Sequence, residues 1–164
     1  MKPGHWGEYG NQMQNGGTIF YTSYYDIMGR TQLSGDRAIS RFNVIMDEFH
    51  IDSLRRAPRP LPGNFYQVSI VGEFPESGLV PLSFLTGIIG VTPDVKGLKI
   101  QSSLPSDMTF AGVSEYNYCD RKYTIEVNKS LTSPSLTSEN GKFIVKVPAD
   151  KTYYVTPDNN LIEG

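Results

Sequence analysis

The chain has 164 residues, a formal net charge of −2, 38% hydrophobic residues and 20% charged residues. This length suits one domain or two small or incomplete ones, and the near-neutral charge gives no general attraction to nucleic acid or to an anionic membrane. The one cysteine, Cys119, excludes an internal disulfide and a multi-cysteine zinc site. His5 and His50 are far apart in the sequence, and no His, Cys or Asp group has metal-ligand spacing. We therefore expect no metal and no cofactor.

The first 17 residues are rich in Gly, Asn and Gln, which predicts an irregular loop. No Lys-Ser/Thr pair follows the loop, so it does not have the pattern of a phosphate-binding loop. Its amide side chains suit hydrogen bonds to sugar hydroxyls. No element precedes the loop, so we expect either a leader or the tail of something longer. The candidate substrate-binding residues of this loop are Trp6, Glu8, Tyr9, Gln14 and Asn15.

Apolar residues at helical spacing predict helices over 18–32 and 37–50. The first is apolar nearly all round, which predicts burial on most sides, and its tyrosines, Tyr24 and Tyr25 included, are predicted to pack rather than to contact a ligand. The second helix has one apolar face, and Asp36 is its predicted N-cap. The short link between the two helices predicts an antiparallel hairpin.

Residues 52–63 contain three prolines and cannot continue the helix. Their arginines, Arg55, Arg56 and Arg59, suit phosphate or an acidic sugar, although a solvated connection is the commoner case. A short extended piece is predicted over 65–70.

Two glutamates occupy the Gly- and Pro-containing loop 71–78, which leads directly into a third predicted helix over 79–89. Glycoside cleavage uses one carboxylic acid and one carboxylate on opposite sides of the bond. Glu73 and Glu76 are too close in one loop to span a sugar in that way, so one of them would act with a partner from elsewhere. Glu8 is the only other acid in a comparable setting. Judged from their spacing alone, these three glutamates are more often solvated loop residues than catalytic groups.

From Pro93 onwards the pattern alternates, which predicts strands over 98–100, 110–118, 123–127, 143–147 and 152–156. Helices followed by strands indicate an α+β chain, with an antiparallel β part that forms half of a sandwich. We divide the chain into residues 1–92 and 93–164.

Four motifs in this order resemble the end of a six-hairpin, (α/α)6-toroid glycosidase of the glycogen-debranching, cellobiose-phosphorylase and rhamnosidase type. The resemblance covers residues 5 to 130. The motifs are Gln14-Asn15-Gly16-Gly17; Gly72-Glu73-Phe74-Pro75-Glu76-Ser77-Gly78; the passage from Gly87 to Pro105, with Gly90-Val91-Thr92-Pro93 and Gly97-Leu98-Lys99-Ile100; and Tyr116 to Val127.

This resemblance implies the C-terminal helices of the toroid followed by an antiparallel β-sandwich segment, in a glycoside hydrolase that acts on oligo- or polysaccharides. It implies that the general acid lies on an earlier barrel loop, in a remainder of the catalytic domain upstream. The base maps onto Glu73 or Glu76, and we favour Glu76 because it borders Ser77-Gly78 and the helix start. We expect this chain alone to be inactive, and to associate through helix surfaces that lack neighbours.

Two alternatives stay open. One is a non-catalytic carbohydrate-binding or structural module. The other is a glycoside phosphorylase. Phosphorylase relatives have a Thr-Gly-Ser that serves phosphate where this chain has Glu76-Ser77-Gly78, and a carboxylate there would repel the anion.

Overall fold

The computed structural model describes residues 23–51, 59–61, 65–67 and 79–164, with side chains for 23–47 and 79–164. Within these residues, helices come first and two four-stranded sheets follow, so the predicted α+β class is confirmed. The helices are α1 (Ser23–Thr31), α2 (Gly35–Ile51) and α3 (Leu79–Ser83), which continues as a π-helical segment, Phe84–Ile89. All three predicted helices are therefore present; residues 18–22 of the first lie outside the described ranges.

The strands are β1 (Arg59–Leu61), β2 (Phe65–Gln67), β3 (Val91–Asp94), β4 (Gly97–Gln101), β5 (Phe110–Tyr118), β6 (Arg121–Asn128), β7 (Ser135–Glu139), β8 (Lys142–Pro148), β9 (Thr152–Val155) and β10 (Leu161–Glu163). The short strands β1 and β2 pair as an antiparallel hairpin. The five strands predicted after Pro93 correspond to β4, β5, β6, β8 and β9. The sequence analysis did not predict β1, β3, β7 or β10.

The buried residues of the α1–α2 hairpin are Ile27 on α1 and Ala38 and Ile45 on α2. Its turn closes because the backbone N–H groups of Leu33 and Ser34 both donate to the carbonyl of Arg30. The cap differs from the prediction: Ser34 Oγ accepts the backbone N–H of Asp36, so Ser34 caps α2. Asp36 was the wrong choice because α2 begins at Gly35, which makes Asp36 its second residue, and its carboxylate accepts from Ser106 instead.

The run from Leu79 to Ile89 packs against both helices and then ends at a left-handed glycine. Val80 and Ile88 are fully buried beside the hairpin. Gly90 has φ +79° and donates its N–H to Leu85 O at 3.0 Å, a bond that spans five residues and caps the π-helical segment. A Cβ at Gly90 would overlap the backbone carbonyl of Gln101. The tight turn therefore requires glycine and leads directly into β3.

The two sheets have the strand orders β10-β9-β4-β3 and β5-β6-β8-β7. Their inner faces contribute to one buried cluster, with Leu98 and Tyr153 from the first sheet and Ile125 and Val145 from the second. Both layers of a sandwich are therefore present, rather than the half that we predicted. The prediction of a wholly antiparallel β part is also wrong at one place, because β6 and β8 pair in parallel. The chain returns through the β7–β8 hairpin, which places β8 beside β6.

The loop 102–109 between β4 and β5 joins the helices to the sandwich. Ser103 Oγ donates to the carbonyl of Thr31 at 3.0 Å, and Ser106 N donates to Asp36 Oδ1 at 2.6 Å. Lys129 Nζ donates to the carbonyl of Pro105 from the sandwich side. This loop thus holds the α1–α2 turn and the sandwich at once. No helix among the described residues is long and apolar enough to span a membrane.

Candidate functional site

The seven residues that the sequence singled out lie outside the described ranges. They are the two candidate catalytic glutamates, Glu73 and Glu76, and the candidate substrate-binding residues Trp6, Glu8, Tyr9, Gln14 and Asn15. Arg55 and Arg56 also lie outside them, and Arg59 is described in its backbone alone. The roles assigned to these residues therefore stay predictions.

The structure does describe the element that follows the two glutamates. Helix α3 begins at Leu79, three positions after Glu76 in the sequence. Val80 and Ser83 are completely buried, and Ser83 Oγ donates to the carbonyl of Val80. Because the first turn of α3 is buried in this way, the core fixes the start of α3.

The π-helical segment makes polar contacts with α1. Thr86 Oγ1 donates to the carbonyl of Leu82 at 3.0 Å and lies 3.3 Å from the hydroxyl oxygen of Tyr24, within hydrogen-bond distance. Gly87, next to it, faces Met28 and Thr31, and a Cβ there would come within 2.9 Å of each side chain. Glycine thus allows the close approach of this segment to α1. π-helical turns are frequent at functional sites, which makes this contact the first place to look among the described residues.

The structure corrects one prediction on α1. Of its tyrosines, which were expected to pack, Tyr24 is half-buried and packs edge-on against Tyr25, whereas Tyr25 itself is 66% exposed. The buried residues of α1 are Ile27 and Thr31; Tyr25 precedes Ile27 by two positions, which places it on the opposite side of a helix. The periodicity could have predicted this exposure, but the many apolar residues of the segment concealed it.

Four described carboxyl groups have shifted pKa values, and all four are lowered. Burial opposes the shift at Asp26, but hydrogen bonds from Arg30 and Arg41 lower its pKa. The pKa of Asp36 is lowered chiefly by the backbone N–H of Ser106.

The other two carboxyl groups lie on the sandwich. The pKa of Glu115 is lowered by Lys142 and Lys122, and that of Glu126 by the Asn128 amide and Lys146. A general acid at neutral pH requires a raised carboxyl pKa. None of these four groups has that property.

The described side chains hold no group of three His, Cys, Asp or Glu residues that could bind a metal ion. Cys119 is exposed in the two-residue β5–β6 turn, where both Cys119 and Asp120 have positive φ.

The chain matches no family model, no curated protein and no solved structure.

Proposed function

We propose that this chain is the C-terminal portion of a glycoside hydrolase that acts on oligo- or polysaccharide glycosidic bonds. Its helices would be the last of an (α/α)6 toroid, with the sandwich attached behind them. The upstream remainder of the catalytic domain would supply the general acid.

The observation that carries the proposal is the continuous passage from the third helix into the sandwich. The run Leu79–Ile89 packs on the α1–α2 hairpin, turns at Gly90 and enters β3 at Val91 without a linker. The glycosidases that the sequence motifs resemble join their last barrel helix to a C-terminal sandwich by such a passage. The order of elements agrees with the order of the motifs.

In this proposal Glu76, or Glu73, is the general base that activates water, since both precede the buried start of α3. Glu8, Trp6, Tyr9, Gln14 and Asn15 would contact the substrate from the loop before α1. A carboxylate beside α3 disfavours phosphate as the attacking group, because two anions repel each other. Hydrolysis is therefore preferred over phosphorolysis.

The test expresses the longest open reading frame that encodes this chain and measures reducing-end release from a panel of oligosaccharides. Proton transfer by a placed base contributes roughly two to four orders of magnitude to the rate. We expect Glu76→Gln to lose that factor, with Glu73→Gln as the second choice. Glu139→Gln, at an exposed glutamate of β7, is the matched control and should leave the rate unchanged.

Two results would replace the proposal. Unchanged turnover in both loop variants would favour the non-catalytic carbohydrate-binding or structural module. Turnover that requires inorganic phosphate would favour the phosphorylase. Hydrolysis by the 164-residue chain on its own would contradict the assignment of the general acid to an upstream region.

A further inference from the structure

Strand β5 lies at an edge of its sheet, with β6 as its one neighbour among the described strands. It has nine residues, whereas the other edge strands, β3, β7 and β10, have four, five and three. An edge strand offers N–H and C=O groups with which a strand of another molecule can pair, and a long edge offers more of them. Of these four edges, β5 is therefore the one at which two copies of the chain would pair most favourably.

A β-bulge interrupts β5 at Ser114 and Glu115. Between Val113 and Tyr116, these two residues lie opposite a single residue of β6. Glu115 has φ +56°, in the left-handed region that a residue other than glycine rarely adopts. A bulge of this kind bends the strand and leaves its extra residue outside the ladder of hydrogen bonds.

The core of the sandwich does not require the extra residue. Ala111 and Val113 before the bulge, and Tyr116 and Tyr118 after it, all belong to the inner apolar cluster or pack against it. Both residues of the bulge are exposed. Because side chains alternate along a strand, a β5 that lacked either bulge residue would keep the same four side chains on its inner face.

Two lysines hold the side chain of Glu115 over the outer face of the sheet. Lys122 Nζ on β6 donates to Glu115 Oε2 at 3.0 Å, and Lys142 Nζ on β8 donates to Glu115 Oε1. Both lysines lie on the β6 side of β5, so the carboxylate is drawn away from the open edge. The backbone of the bulge, rather than the charge of Glu115, is therefore what interrupts that edge.

We propose that this bulge keeps the edge of β5 from pairing with β5 of a second copy of the chain. Two such strands would meet as antiparallel neighbours about a twofold axis. The bend and the extra residue in each strand place the N–H and C=O groups on the two sides of the bulge out of register with a regular partner. The left-handed conformation of Glu115 costs free energy, and protection of the edge gives that cost a function which packing of the core does not. This inference does not rest on the proposed function.

The test deletes Ser114, which removes the bulge and retains the charge of Glu115. We expect a folded chain whose β5 amides become protected from hydrogen exchange as the protein concentration rises. Sedimentation should show a dimer dissociation constant about tenfold lower than that of the unaltered chain. Deletion of Glu115 should have the same effect. Glu115→Gly should behave as the unaltered chain does, because glycine adopts a positive φ readily and retains the bulge.

Deletion of Ser133, an exposed residue in the connection between β6 and β7, is the matched control and should leave the exchange of the β5 amides independent of concentration. Association through the helices would not protect β5, so the exchange data separate the two contacts. Folded deletion variants whose β5 amides exchange equally fast at all concentrations would overturn the proposal.

Two other results would also overturn it. If neither deletion variant folded, the extra residue would serve the core of the sandwich rather than its edge. If Glu115→Gly paired through β5, the charge of Glu115 rather than the bulge would protect the edge.

Discussion

The described parts of the sandwich and of the helices differ in the size of their buried apolar clusters. The sandwich buries a cluster of twelve residues, almost all on inward strand positions of two facing sheets. Among the residues that the structure describes, the helical cluster has five buried residues, and Phe84, Leu104 and Met108 pack against both clusters. Large apolar residues are exposed in both regions, Leu33 at 71% among the helices and Val95 at 99% and Phe110 at 62% in the sandwich.

This difference indicates that the sandwich stabilises the helices more than the helices stabilise the sandwich. Burial of apolar surface is the dominant favourable term in folding, and among the described residues the larger buried cluster is that of the sandwich, to which the helical run contributes Ile89. The helices gain part of theirs from the loop 102–109, which the sandwich holds. We therefore expect the sandwich to tolerate loss of the helices, and the helices to depend on the sandwich.

The largest effect is expected at Gly90, where the two regions join. In Gly90→Ala the new Cβ would overlap the backbone carbonyl of Gln101 and would also adopt a left-handed conformation. We expect the free energy of unfolding to fall by about 4 kcal/mol, in the range that only severe packing faults reach. Urea denaturation followed by circular dichroism measures this change.

Gly141 is the control for Gly90, because the two glycines share nearly the same φ, +76° and +79°, and differ in surroundings. Nothing lies within 4 Å of a Cβ at Gly141. Gly141→Ala should therefore cost only the conformational penalty, about 1 to 2 kcal/mol. Equal losses in the two variants would mean that the contact with Gln101 contributes nothing, and that the regions are less tightly joined than the geometry indicates.

A smaller effect is expected from cavities made separately in the two cores. Ile125 is 1% exposed in the sandwich and Ile27 is 0% exposed in the helical cluster. Large-to-small changes at such sites cost about 2 to 5 kcal/mol. We expect Ile125→Ala to lie near the middle of that range, at about 3 kcal/mol, and Ile27→Ala near 2 kcal/mol, because its smaller cluster collapses more readily.

Hydrogen exchange sharpens this test, since it reports each region separately. In Ile125→Ala, amides of both regions should lose protection together. In Ile27→Ala, amides of α1 and α2 should exchange faster while those of β6 and β8 remain protected. Equal loss of protection in both regions of Ile27→Ala would contradict the one-way dependence.

The same contrast explains which parts of the fold the sequence predicts. Strands β5, β6 and β8 carry alternating apolar residues, so the sequence pattern predicts both that they are strands and where they lie. Strand β7 has Leu136 as its only apolar residue, and β10 has three residues, so neither has a detectable pattern. The parallel pairing of β6 with β8 is set by packing between distant segments, and no local pattern encodes it.

At the candidate site, the catalytic and binding residues are predicted from the sequence, and the structure describes the helices that follow them, α1 and α3. Glu76 stays a prediction from its Gly- and Pro-containing loop and from motif order, which are features of the sequence alone. The exposed ring of Tyr25 required the structure, because the apolar composition of its helix favoured burial. The cap of α2 could not be assigned either, since the carboxylate of Asp36 is engaged by Ser106, seventy positions away.

The smallest effect is expected at Asp36, the polar link between the hairpin and the loop 102–109. The ordinary pKa of this carboxyl is 3.8, and in the folded chain it is lowered, first by the Ser106 N–H, then by the Ser106 hydroxyl and the charge of Lys129. A depressed folded pKa means that the ionised group stabilises the folded state above 3.8, and that this contribution is lost as the pH falls through the lower folded value. Asp36→Asn retains an oxygen acceptor for Ser106 and removes the charge.

We therefore expect Asp36→Asn to lower the melting temperature slightly at pH 7, and the difference from the unaltered chain to shrink as the pH falls below 3.8. Asp47→Asn, on the exposed face of the same helix, is the control for loss of one negative charge. Thermal unfolding of the three proteins between pH 7 and pH 2 measures both differences. Because Asp36 is exposed, solvent screens its interactions and the effect must be modest. If Asp36→Asn and Asp47→Asn had the same pH profile, the Asp36–Ser106 hydrogen bond would contribute nothing to stability. The hairpin would then be held to the loop 102–109 by apolar packing and by the hydrogen bond from Ser103 to Thr31.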